Sequence, residues 1–126
     1  MSDLQCAATF LLVPAGTAAD AVGSARAVAL HAAPGAADAA TELARLLDLP
    51  VRDLPAREAS PGGIVRALDE LADEYRGERV AVVVTAEVLT ALRRVVLPGE
   101  GAVVVEVDAD GHRWAPWPEV RPATGR

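Results

Sequence analysis

The sequence predicts a single α/β domain: a mostly parallel sheet with helices on both faces, finished at its C-terminal end by an antiparallel hairpin. Three observations carry this reading. Short, unbroken apolar runs alternate with segments whose apolar residues recur at helical spacing, the order that builds βαβ units. After Pro98-Gly99 the alternation gives way to two strand-like runs around Asp108-Ala109-Asp110-Gly111, where Asp-Gly is a strong hairpin signal. A chain of 126 residues, 52% of them hydrophobic, is enough for one packed core and needs no second domain.

Ala8-Thr9-Phe10-Leu11-Leu12-Val13, closed by Pro14 and Gly16, reads as a buried strand entering a turn. Arg26 to Leu30 reads as a second strand. Pro34 to Leu47 then sets Ala36, Ala40, Leu43 and Leu47 near one helical face. Val51 to Leu54 is a brief strand. Ser60-Pro61 supplies an N-cap and a first-turn proline for a helix that buries Ile64, Val65, Leu68, Leu71, Ala72 and Tyr75 and is ended by Gly77. Val80 to Val84 is the strongest strand and is expected at the centre of the sheet. Val88 to Val96 is the helix after it, and Ala102–Val107 with His112–Trp117 form the hairpin. The domain is expected to span 1–120, with 121–126 a frayed tail.

Composition excludes several function classes. The net charge of −6 gives no electrostatic footprint for nucleic acid or an anionic membrane. The apolar stretch from Ala7 to Ala15 is too short to span a bilayer, and the first residues have no basic leader region. The lone Cys6 can form neither an intramolecular disulfide nor a thiolate metal cluster, which fits a reducing cytoplasm. No cofactor fingerprint is present: Gly16-Thr17 and Gly62-Gly63 lack the further glycines and the lysine of phosphate-cradling loops.

In open α/β sheets ligands bind beyond the carboxyl ends of the strands. Here those ends read Leu12-Val13-Pro14-Ala15-Gly16, then Leu30-His31-Ala32-Ala33-Pro34-Gly35 running on to Leu47-Asp48-Leu49-Pro50-Val51, then Ala56-Arg57-Glu58, then Val83-Val84-Thr85-Ala86-Glu87. In this order the segments resemble the histidine phosphatase (phosphoglycerate mutase-like) superfamily over nearly the whole chain. The resemblance puts the family's nucleophilic histidine and phosphate-binding arginine at Ala15 and Pro14, within Pro14-Ala15-Gly16. Its second arginine falls at Gly35, and its second histidine at Thr85 or, with a deletion, at Ala86. Glu58 matches the glutamate that often serves as general acid. The long insertion that covers the family's pocket is reduced to Ala59-Ser60-Pro61.

Phosphoryl transfer through such a site needs an imidazole nucleophile and cations to hold the charged oxygens. Pro14, Ala15, Gly35 and Thr85 supply neither, so no phosphatase or mutase activity is expected, and carboxylates such as Glu58 and Glu87 should repel phosphate. The candidates for other chemistry are Glu58, His31 and Thr85. Each has a plainer alternative: a solvated loop charge for Glu58, a helix cap for Thr85, a core residue for His31. His31 is expected to face the crevice, but it has no second histidine or cysteine at metal-ligand spacing. Trp114 and Trp117, on the same side or splayed by Pro116, are candidate interface residues.

Two functions follow as expectations. One is an inactive, phosphatase-like binding, structural or regulatory protein that pairs with its own copy or another protein. The other is a repurposed enzyme of small-molecule biosynthetic chemistry, using Glu58 with His31 or Thr85. An open crevice with converging polar groups would favour the enzyme.

Overall fold

The computed structural model describes residues 7–117; the expected tail, Cys6 and Pro118 lie outside the described residues. In chain order the elements are β1 (Ala8–Pro14), α1 (Ala19–Gly23), β2 (Ala29–Ala32), α2 (Ala37–Leu47), β3 (Val51–Asp53), α3 (Pro61–Ala72), β4 (Arg79–Val84), α4 (Ala86–Val96), β5 (Val103–Asp108) and β6 (Gly111–Pro116). They build one six-stranded mixed sheet of order β3-β2-β4-β1-β5-β6. The first four are mutually parallel; β5 runs antiparallel to β1 and β6 antiparallel to β5. No helix among the described residues is long and apolar enough to cross a membrane.

The strand pleat sorts the core into two layers. Phe10, Leu12, Val80, Val82 and Val84 face Ile64 and Leu68 of α3 and Leu92 of α4. Leu11, Val13, Ala81 and Val83 face Val22 of α1 and Ala40 and Leu43 of α2. Residues Val80 to Val84 of β4 are all buried, because the strand is covered on both faces and flanked by β2 and β1. An unbroken apolar run is what a strand so placed requires.

Several local expectations are corrected. The second strand is Ala29–Ala32 rather than Arg26–Leu30, because Arg26 takes a left-handed turn conformation (φ 58°) that starts the approach to the sheet. A five-residue helix, α1, precedes it; with no side-chain cap it leaves little trace in the sequence. α2 begins at Ala37, after Gly35 has turned the chain at φ 86°. α3 ends at Ala72, so Tyr75 sits in the turns after it and Gly77 closes those turns rather than the helix.

This topology fixes the crevice. Neighbouring strands β1 and β4 send their following helices to opposite faces of the sheet, α1 to one and α4 to the other. The space beyond Pro14 and Val84 is therefore a topological switch point, where ligands of open α/β sheets are held.

Candidate functional site

The ladder continues past the strand ends and gathers the predicted crevice positions. Ala15 N–H donates to the Val84 carbonyl (2.9 Å) and Ala33 N–H to the Val83 carbonyl (2.9 Å). A Cβ on Gly35 would lie 3.2 Å from Thr85 Cγ2. Pro14, Ala15, Gly35 and Thr85 thus meet at one end of the sheet. None of the four bears a charge or a nucleophile with an adjacent base.

The polar groups there are spent on local structure. The Thr85 hydroxyl accepts from Val88 N–H at 3.2 Å and caps α4, with Glu87 in the first turn where it favours the helix dipole. Thr17 closes the turn after β1, its hydroxyl donating to the Pro14 carbonyl at 2.7 Å while Gly16 supplies the left-handed backbone. Pro14 then separates two shallow depressions: one of about 230 Å³ toward Glu42, Leu43 and Leu46 of α2, and one of about 220 Å³ toward Ala86, Thr90 and Arg93 of α4.

The three catalytic candidates do not converge. Glu58 is exposed and lines a separate depression with Arg57, Gly63, Arg66 and Glu70; no strand-end position of the crevice borders it. His31 does not face the crevice, contrary to expectation. It lies within β2, buried (1% exposed), beside Val82 of β4 and Arg52 of β3. Its Nε2 lies 3.0 Å from the Tyr75 hydroxyl, and the two rings meet edge to face. Arg52 donates to the Tyr75 oxygen at 2.7 Å and to Glu74 at 2.6 Å. Nδ1, on the other side of the ring, is buried and has no hydrogen-bond partner among the described residues. Burial lowers the His31 pKa, with the Arg52 charge acting in the same direction against the opposing Asp53 backbone and Glu74. His31 is a neutral core residue that ties the sheet edge to the turn after α3.

Trp114 and Trp117 are splayed, because they lie three positions apart on a chain whose side chains alternate. Trp114 packs on the α3/α4 layer, where His112 stacks on it and binds Asp69 of α3 at 2.7 Å. Trp117 packs on the other layer. It forms one wall of a groove of about 440 Å³ floored by Thr9, Leu11 and Val104, with Arg79 and Glu106 on its sides.

Sequence reasoning missed Arg93. In the run Leu92-Arg93-Arg94 it looks like one of two solvent-facing charges, yet it is only 4% exposed. Its Nε donates to the Leu97 carbonyl (2.6 Å) and its Nη1 to those of Glu100 (2.8 Å) and Gly101 (2.6 Å). The signal that could have found it is an arginine in the last turn of a helix followed by Pro98-Gly99-Glu100-Gly101, a loop whose carbonyls need donors.

The strand ends Pro14 and Val84 thus open onto the switch point of a mixed α/β sheet, with the Thr85 hydroxyl there capping α4. No protein-family model, curated protein or solved structure matches the chain.

Proposed function

We propose that the chain is a catalytically inactive protein of histidine-phosphatase-like ancestry that acts by binding, as a structural or regulatory partner of its own copy or of another cytoplasmic protein. The observation that carries this reading is the convergence of Pro14, Ala15, Gly35 and Thr85 at one strand-end crevice, the hydroxyl among them already committed to Val88 N–H. A phosphoryl group placed there would meet no imidazole and no guanidinium from those positions. The alternative, an enzyme using Glu58 with His31 or Thr85, is less well supported: it needs groups within hydrogen-bond reach of one substrate, and His31 is sealed in the core while Glu58 borders a different depression.

The test is turnover of generic phosphate monoesters by the purified protein, with and without chelator, beside Glu58→Ala. Neither hydrolysis nor phosphorylation of the protein is expected. Metal-independent turnover clearly above that of Glu58→Ala would overturn the reading.

A further inference from the structure

The Arg93 guanidinium is a buried cation that forms no ion pair among the described residues. A guanidinium has five N–H donors, and the three on Nε and Nη1 are taken by the carbonyls of Leu97, Glu100 and Gly101. Both donors of Nη2 remain without an acceptor among the described residues. No carboxylate among the described residues forms an ion pair with Arg93. Buried charges are ordinarily paired, since desolvation of an uncompensated ion is costly. Nη2 lies against Gly99, where a Cβ would come within contact of it, so a side chain at that position would crowd the guanidinium.

Arg93 and Gly99, against which Nη2 lies, both line the depression of about 220 Å³ on the α4 side of Pro14. Its floor is apolar, from Pro14, Ala86 and Leu89, and Thr90 stands one helical turn before Arg93 with a hydroxyl that has no partner among the described residues. Glu100 stands on the rim. One available cation, one hydroxyl, an apolar floor and an acidic neighbour, in a chain of net charge −6, suit a monoanion with a short hydrocarbon body better than a dianionic phosphate.

We infer that this depression is a binding site for a small monocarboxylate, its oxygens on Arg93 Nη2 and Thr90 Oγ1 and its apolar part against Pro14, Ala86 and Leu89. The site uses none of the positions at which the resemblance places phosphate ligands as cations, and it stands whether or not the protein turns over a substrate.

The experiment is titration of the ¹⁵N-labelled protein with propionate, against chloride at equal ionic strength and against inorganic phosphate. Saturable shifts are expected in the amides of Thr90–Arg93 and of the loop 98–101 with propionate. Thr90→Glu places a carboxylate at i,i+3 from Arg93, on an exposed position that does not disturb the core, and should weaken propionate binding about tenfold or more by occupying Nη2 from within. Thr90→Gln, uncharged and of the same size, should bind propionate more tightly than Thr90→Glu. The site is overturned if chloride reproduces the propionate shifts, if Thr90→Glu binds as well as Thr90→Gln, or if phosphate competes more strongly than propionate. None of these outcomes bears on phosphatase turnover, so the two readings fail separately.

Discussion

At the scale of single residues, His31 shows how a candidate for chemistry becomes a structural group. Its fate is decided by Tyr75, 44 residues later, whose hydroxyl lies 3.0 Å from Nε2, and by Arg52 on the edge strand, which donates to that hydroxyl. A run of apolar residues shows that position 31 is in a strand; it cannot show that the turn after α3 folds back over it. The lowered pKa has a sign that can be measured. Below about pH 6.5, the usual histidine value, the unfolded chain takes up a proton that folded His31 refuses. Stability should therefore be flat above neutrality and fall as the pH drops through that value toward the folded pKa. Urea midpoints across this range should show the fall in the wild type and a shallower one in His31→Gln. Equal slopes in the two proteins would mean that the imidazole is not the group penalised by burial.

At the scale of elements, legibility tracks how much of an element's stability is local. β4 was legible because a strand buried on both faces must be apolar throughout, and α3 because Ser60 and Pro61 announce it, with Ser60 Oγ accepting from Gly63 N–H at 3.1 Å. α1 was not, since five residues held by Val22 in the core give no period to read. The end of α4 was half legible: Pro98-Gly99 stops it, but the three carbonyls gathered by Arg93 are a tertiary arrangement. The strand ends were legible because they follow from strands, and the cap reading of Thr85 was legible with them; the place of Glu58 at a separate depression was not, because it depends on the path of the loop between β3 and α3. Three substitutions probe α4. Thr85→Ala should cost about 1 kcal/mol, the usual value of an N-cap side chain. Arg93→Met should cost about 2–4 kcal/mol by leaving carbonyls without donors, whereas Arg94→Met, on the exposed face, should stay within about 0.5 kcal/mol. Equal effects at 93 and 94, read from chemical denaturation, would show that the loop clamp contributes nothing.

At the scale of the whole molecule, the two faces of the sheet are unequally covered. α3 and α4 cover one face, whereas the other has α2 and the short α1, which leave the β1–β5–β6 side open as the groove at Trp117. Strand register lays a polar row across this opening, Arg79 beside Thr9, Glu106 and Arg113, above the apolar floor of Leu11 and Val104. Glu106 is paired with Arg113 at 3.2 Å, while Arg79 donates to the Ala25 carbonyl and has no ion pair among the described residues. A second copy approaching about a two-fold axis would set Arg79 of each protomer toward Glu106 of its partner, with both Trp117 rings at the centre. Aromatic side chains in such positions carry a large share of interface energy. The expected outcome is a dimer in light scattering at micromolar concentration, weakened by about 2 kcal/mol or more in Trp117→Ala, as for a buried hot-spot residue. Trp114→Ala, on the opposite face and against the protein's own core, should lower stability without changing the dimerisation constant. Glu106→Arg should weaken the dimer as well, and the loss should shrink as salt is added, because the repulsion it introduces between guanidiniums is screened. A wild type that stays monomeric, with Trp117 fluorescence quenched by solvent at every concentration, would leave the groove as free sheet surface and remove self-association from the proposed function.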